Sequence, residues 1–423
     1  MKIGLLTYYW DYNYGQYWQA VATLLALGER FPHAHVELVH VRHWGKIRNN
    51  IVTRKSLIRP WTIPAGYRTL RGYRLGRKQY YQMSSQECVT QDYEQAMRFI
   101  EAQDYDLVVV GADVILKTLP DKLVAGGVPL YWVSPEVSAK KVLLGSSADV
   151  TCLKDLSAQA AARMRESLAA MDFIGVRDLM TECLCKELNS AKVPVERTPD
   201  PTCFLRPDPA WAVAARREIP AAKTSKRRAI VHFTHRPGVE KITQNLRKRG
   251  FEVLTLGGSL PCADAAISLS PDAWAGMSTS VDLVVTMSFH ESLFAVKHAR
   301  PVIAIDTQPN RYNPQTGASK TRNLMDDLGL RETNHLNLNL TENFEQRLED
   351  SIKVALSTDY NSAKHQHERA RNQYQSALDT MSPVQRANLG DVTELIATAD
   401  ANGDGVIDFE EFMTAMSADS SAR

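Results

Sequence analysis

An apolar run from Val281 to Thr286 leads directly into Ser288-Phe289-His290 and then into a helical stretch. A histidine at the carboxyl end of a buried strand, just ahead of a helix N-terminus, stands where open α/β sheets place their ligands. The N–H groups and the positive dipole end found there favour phosphate or carboxylate. An imidazole that titrates near neutrality can also hold or move a proton at such a place. The other reading of an isolated histidine is a packing role with its ring satisfied in the core.

A second constellation lies at the far end of the chain. Asp400, Asn402 and Asp404 offer side-chain oxygens at the first, third and fifth positions of a twelve-residue loop, Asp400–Glu411. The Val406 carbonyl falls at the seventh position, Asp408 at the ninth and Glu411 at the twelfth, where a bidentate carboxylate closes the shell. Gly405 supplies the sharp turn at the sixth. This is a complete EF-hand loop and implies Ca2+ as its ligand. Leu395 and Ile396 before it, and Phe409, Phe412, Met413 and Met416 after it, suit flanking helices. EF-hands generally pair and only one loop is visible, so pairing with a second copy in a homodimer could complete it.

Both constellations need a scaffold. Apolar runs at Lys2–Thr7, Val36–Val41, Leu107–Val110, Val142–Leu144 and Phe173–Val176 alternate with helical stretches at Tyr17–Glu29, Tyr93–Ala102, Leu156–Met171 and Leu179–Leu188. Such alternation predicts parallel βαβ units. The Pro-bearing stretch Arg206–Lys226 reads as a linker, after which strands Ala229–Phe233, Glu252–Leu256, Leu283–Thr286 and Val302–Ile305 alternate with helices again. The expected fold is α/β, with two Rossmann-like domains facing a cleft (GT-B-like) and a small all-α C-terminal EF-hand module. The expected boundaries are 1–206 and 227–357 for the two domains, 207–226 and 358–384 for linkers, and 385–423 for the module. The six cysteines are scattered without a zinc spacing. The N-terminus reads straight into a strand, and no apolar run of ~18 residues is present. These features suggest free thiols and a cytoplasmic setting.

Several collinear segments resemble the polysaccharide pyruvyl transferase family. They are Lys2–Thr7 followed by Asn13-Tyr14-Gly15 and Gln19-Ala20; Tyr105–Asp113; Gly145–Ala148; Gly175-Val176-Arg177-Asp178; Asp200-Pro201-Thr202; and Val284–His290 followed by Arg300-Pro301-Val302-Ile303. Together they span residues 1–330. Three positions depart from the family pattern: Ala112 stands where it has Ser, Met287 where it has Asp, and Glu291 where it has Gly.

The resemblance implies transfer of a pyruvyl group from phosphoenolpyruvate to two hydroxyls of one sugar of a polysaccharide or its precursor. Carried over to this chain, it gives His290 acid/base work or phosphate contact, and Arg177 the carboxylate or phosphate clamp. Asp113 becomes an acceptor or base for a sugar hydroxyl. Asn13, Gly15 and Ser288 would line the cleft, and Arg311, Lys320 and Arg322 would supply the remaining positive charge. For the residues themselves, Arg177 could instead pair with Asp178 at the surface, and Asp113 could cap a helix.

Charge is unevenly spread. Between Leu38 and Gln86 there are eleven Lys/Arg and no acid, whereas from Asp391 onward eight acids face Arg423 alone. The basic stretch, residues 42–78, reads as a solvated connection. Its other reading is peripheral contact with an anionic membrane or with a lipid-linked saccharide acceptor. No nucleic-acid-binding module accompanies it. Two further functions stay open on the sequence: a glycosyltransferase of the same twin-domain class using a nucleotide sugar, and a catalytically silent, calcium-responsive binding module.

Overall fold

Leu107–Val110 and Leu283–Thr286 are buried at every residue, the pattern of parallel strands covered on both faces. The computed structural model describes residues 1–43, 63–118, 128–149, 151–189, 193–222, 225–233, 236–256, 262–306, 319–338 and 342–381. Arg311, residues 44–62 of the basic stretch and the whole Asp400–Glu411 loop lie outside the described residues. Lys2–Met381 forms one compact unit, from which Ser382–Arg423 separates.

The first half holds β1 (Lys2–Leu6), β2 (His35–Leu38), β3 (Val41–His43), β4 (Cys88–Thr90), β5 (Leu107–Val110), β6 (Lys140–Ser146), β7 (Phe173–Val176) and β8 (Val195–Arg197). Six of these make a parallel sheet in the order β2-β1-β5-β6-β7-β8, and β3 and β4 pair separately. The second half holds β9 (Arg228–His232), β10 (Glu252–Leu256), β11 (Ala265–Ile267), β12 (Leu283–Thr286), β13 (Val302–Asp306) and β14 (His335–Asn337). Its sheet runs β11-β10-β9-β12-β13-β14, again parallel throughout. The two sheets are the Rossmann-like halves that the alternation predicts. Strand order reverses between β1 and β5 and between β9 and β12, and crevices for ligands open at such points. Asp113 follows β5, and His290 follows β12.

Helix Tyr14–Arg30 ties the halves together. Its Tyr17, Trp18 and Val21 share one core with Trp211, Trp274 and Phe294. The Trp18 indole donates to the Pro271 carbonyl at 3.2 Å, and Tyr14 stacks on Trp274 with ring centroids 5.0 Å apart. Burying aromatic side chains of this size is worth ~2–3 kcal/mol each, so the helix is fixed on both sides.

Three stretches are more ordered than the sequence suggests. Within the expected linker 207–226, Asp208 caps a helix, Pro209–Glu218, that buries Trp211 and Ala215. In the polar stretch 358–384, helix Asn361–Asp379 buries Ala363, His367, Tyr374 and Leu378. That spacing of four and seven residues is a helical stripe, but His and Tyr within it blunt the apolar contrast. The basic stretch enters helix Ile63–Tyr80, where Tyr73 is fully buried. There Arg77 lies over the Tyr12 and Tyr73 rings and donates to the Asp11 carbonyl at 2.8 Å. Among the described residues no helix is long and apolar enough to cross a membrane.

Candidate active site

The site is organised around a carboxylate. Asp200 caps a 3₁₀ turn, Pro201–Phe204, and is fully enclosed. Its Oδ1 accepts from the Thr202 amide at 2.9 Å and the Thr202 hydroxyl at 2.5 Å. Its Oδ2 accepts from Gln19 Nε2 at 2.7 Å and Arg177 at 2.6 Å, and lies 3.4 Å from His290 Nε2. Burial alone would push this carboxyl up. The neighbouring His290, Arg177 and Thr202 outweigh burial and hold it well below the usual carboxylate range, so it is ionised.

Each partner comes from a different element. Gln19 lies on helix Tyr14–Arg30, Arg177 follows β7, and His290 belongs to helix Phe289–Lys297 of the second half. A Cβ on Gly15 would fall 2.3 Å from His290 Nδ1, so the imidazole occupies space that only glycine leaves. Arg177 is almost enclosed, and its guanidinium lies 5.4 Å from the Phe289 ring centroid. Burial opposes its charge, but the carboxylates of Asp200, Asp113 and Asp178 sustain it. The geometry replaces the surface pair with Asp178, because Asp178 instead caps helix Leu179–Leu188 through the Thr181 amide.

A second cation reaches across from the other half. Lys320 Nζ lies 3.2 Å from Ser147 Oγ and 3.2 Å from Asp149 Oδ1. Burial and the nearby Arg177 hold its ammonium below the usual lysine range, while Asp149 acts in the opposite sense. Asp113 begins no helix. It sits at φ 71°, in the left-handed region that Asp tolerates better than most residues, and its buried Oδ2 has no partner among the described residues. A cavity of about 380 Å³ opens beside the cluster, bordered by Arg177, Asp200, Phe289, Lys320, Arg197 and His367, while His290 and Asp113 lie outside its lining.

Of the residues singled out from the sequence, His290 and Arg177 meet at Asp200 and Gly15 lies against the His290 ring, with the charges of Lys320 and Asp113 felt at Arg177. Asn13 and Ser288 stand at this end of the molecule as helix caps, accepting from the Gln16 and Glu291 amides. Arg322 contributes a main-chain amide to Ser319 and does not line the cavity. Asp200 and Gln19 occur within the resembling segments but were given no role there, because their partners are distant in sequence. Of the departures, Ala112 is fully buried. Glu291 is buried as well, and spends its carboxylate on His232 at 2.7 Å, Trp274 at 3.1 Å and Thr286 at 2.5 Å. It adds no open negative charge to the Asp200 cluster.

The model of the family described as Polysaccharide pyruvyl transferase matches residues 13–309, and that of the EF hand domain matches residues 391–419. Among solved structures, the chain is similar to the UDP-GlcNAc 2-epimerase from Neisseria meningitidis bound to UDP-GlcNAc. The TM-score is 0.51 at 10% identity, covering 90% of this chain and 99% of that one. It is also similar to a putative UDP-N-acetylglucosamine 2-epimerase from Listeria monocytogenes, with a TM-score of 0.46 at 10% identity over 97% of this chain and 99% of the other. The ADP-heptose lps heptosyltransferase II of E. coli gives a TM-score of 0.38 at 12% identity over 84% and 99%. Comparison with curated proteins finds no significant match.

Proposed function

This chain belongs to the polysaccharide pyruvyl transferase family, and on that premise we propose that it transfers the pyruvyl group of phosphoenolpyruvate to a sugar diol of a polysaccharide or its precursor, forming a cyclic ketal. In such a transfer one hydroxyl adds to C2 while the C3 methylene takes a proton and becomes methyl. The C2–O bond to phosphate then breaks, and positive charge develops at C2. The second hydroxyl closes the ring, and its proton leaves with phosphate as the balance of the reaction.

The observation that carries this reading is the convergence of His290 and Arg177, from opposite halves, on one oxygen of Asp200. The Asp200 carboxylate, 3.4 Å from Nε2, orients the ring, which leaves Nδ1 for proton transfer. In this role His290 delivers the proton to C3. Arg177 and Lys320 hold the carboxylate and phosphate of the donor, since a compact trianion needs more than one cation. Asp113, with an unengaged oxygen, accepts the proton of the attacking hydroxyl. The cavity is within the size range of small-molecule sites.

Phosphate release from phosphoenolpyruvate, dependent on an added saccharide, is the measurement. His290→Ala and Arg177→Ala should each lower it at least ~100-fold with unchanged circular dichroism, and a fully active His290→Ala enzyme ends the assignment. Nucleotide release from a nucleotide sugar would select the glycosyltransferase instead. Calcium binding without phosphoenolpyruvate binding would select the silent module.

We further infer that Asp400, Asn402, Asp404, Val406, Asp408 and Glu411 hold Ca2+. Their donors are all hard oxygens in the right order, and the EF-hand match covers them. The ion, when bound, supplies folding energy to its own module.

A further inference from the structure

A second cavity, of about 430 Å³, is lined by Arg206, Lys297, Lys364, His367, Arg371 and a single acid, Glu368. Its walls are the segment after Phe204, the last residue of helix Phe289–Lys297, and helix Asn361–Asp379. Lys297 is 2% exposed, and its ammonium donates a hydrogen bond to the Thr202 carbonyl at 2.6 Å. Burial pulls its pKa down to about 8. His367 is 5% exposed, and its Nε2 has no hydrogen-bond partner among the described residues. Burial, with Lys297, Arg371 and Lys364 all nearby, drives its pKa down to about 3. Glu368 is exposed and is engaged by His365 at 3.2 Å.

Lys297 is buried, Arg371 donates to the Phe204 carbonyl at 3.2 Å, and Arg206 and Lys364 stand at the rim; a buried ammonium and an unsatisfied imidazole beside three further cations are costly to keep without a counter-charge. They match a ligand with several acceptor oxygens. We propose that this cavity is a second oxyanion site, taking a phosphate-bearing ligand of about diphosphate size. The site adjoins the first one. Lys297 holds the Thr202 carbonyl, while the amide and hydroxyl of Thr202 hold Asp200. His367 borders both cavities. The proposal does not depend on phosphoenolpyruvate being the donor at the Asp200 cluster.

Calorimetry on the full chain with inorganic pyrophosphate, and sedimentation with vesicles containing phosphatidic acid, test it. Arg206→Glu combined with Lys364→Glu should weaken pyrophosphate binding at least tenfold, whereas Arg177→Ala should leave that binding in place. If the melting temperature of the reversed pair drops, Lys364→Gln alone should still cost severalfold. Loss of pyrophosphate binding with vesicle behaviour unchanged supports a soluble ligand. Loss of both supports an oxyanion site open to a lipid headgroup. Unchanged pyrophosphate binding in the reversed pair, or its abolition by Arg177→Ala, overturns the proposal.

Discussion

Asp200 spends its carboxylate on Gln19, Arg177 and both donors of Thr202, with His290 Nε2 3.4 Å away, so its proposed role is to position others. Asp200→Asn keeps the volume and removes the charge that the Arg177 guanidinium and the His290 ring face. Turnover should fall at least ~10-fold, with the loss in kcat rather than in KM. A role in packing alone would lower the melting temperature without that change in kcat. Gly15→Ala places a methyl against Nδ1 of His290, so it should reduce turnover as severely as His290→Ala, with circular dichroism unchanged. Much of this centre was legible. His290 is marked by its place after an apolar strand, and Arg177 by the segment Gly175–Asp178. What joins them was not legible, because Asp200 lies 23 residues beyond Arg177 and meets His290 only when the two halves are assembled.

Caps account for two residues that the resemblance assigned to the cleft. If Ser288 acts through the Glu291 amide and Asn13 through the Gln16 amide, alanine at either position should cost ~1 kcal/mol of stability. Urea unfolding would read that loss, with the Michaelis constant for phosphoenolpyruvate little changed. Asp208→Ala should cost a similar amount by uncapping helix Pro209–Glu218. That helix shows where reading by pattern stops. Pro207, Pro209 and Pro220 look like linker residues, yet a proline in the first turn is compatible with a helix start, and Trp211 decides the packing. Buried strands of four or five apolar residues were readable as such. The three-residue β8, β11 and β14 carry too few side chains to display a period.

For the whole molecule, buried histidines set the response to acid. Burial holds His298 down to about 4 and His367 down to about 3, whereas unfolded histidine titrates near ~6.5. As pH falls below ~6.5, the unfolded chain takes up protons that the folded chain refuses, so stability is lost. For His298 the loss amounts to about 2 kcal/mol by pH ~5. His232, raised by Glu291, works in the opposite sense, adding stability at low pH and losing it as pH rises through its folded value. His298→Gln should therefore flatten the fall in unfolding free energy between pH ~7 and ~5, and His232→Gln should steepen it. At the acidic end of the chain, Glu411→Gln removes the closing carboxylate of the loop. Titration calorimetry should then show calcium affinity reduced by about a hundredfold or more. Ultracentrifugation with and without calcium tests pairing between copies, and an identical mass in both conditions rejects it.

The imidazole of His290 nests in a notch left by Gly15, which makes the seat of the proposed proton donor a joint product of two sheets. Any hinge rotation that parts the sheets draws the ring away from Asp200 and unseats it from the notch. A gaping crevice, wide enough to admit a sugar chain, is then one whose acid is disarmed. If His290 is the acid of the proposed transfer, only the shut form would protonate the enol, and the carbocation-like species would arise where bulk water is already shut out and the waiting alcohol, rather than solvent, quenches it.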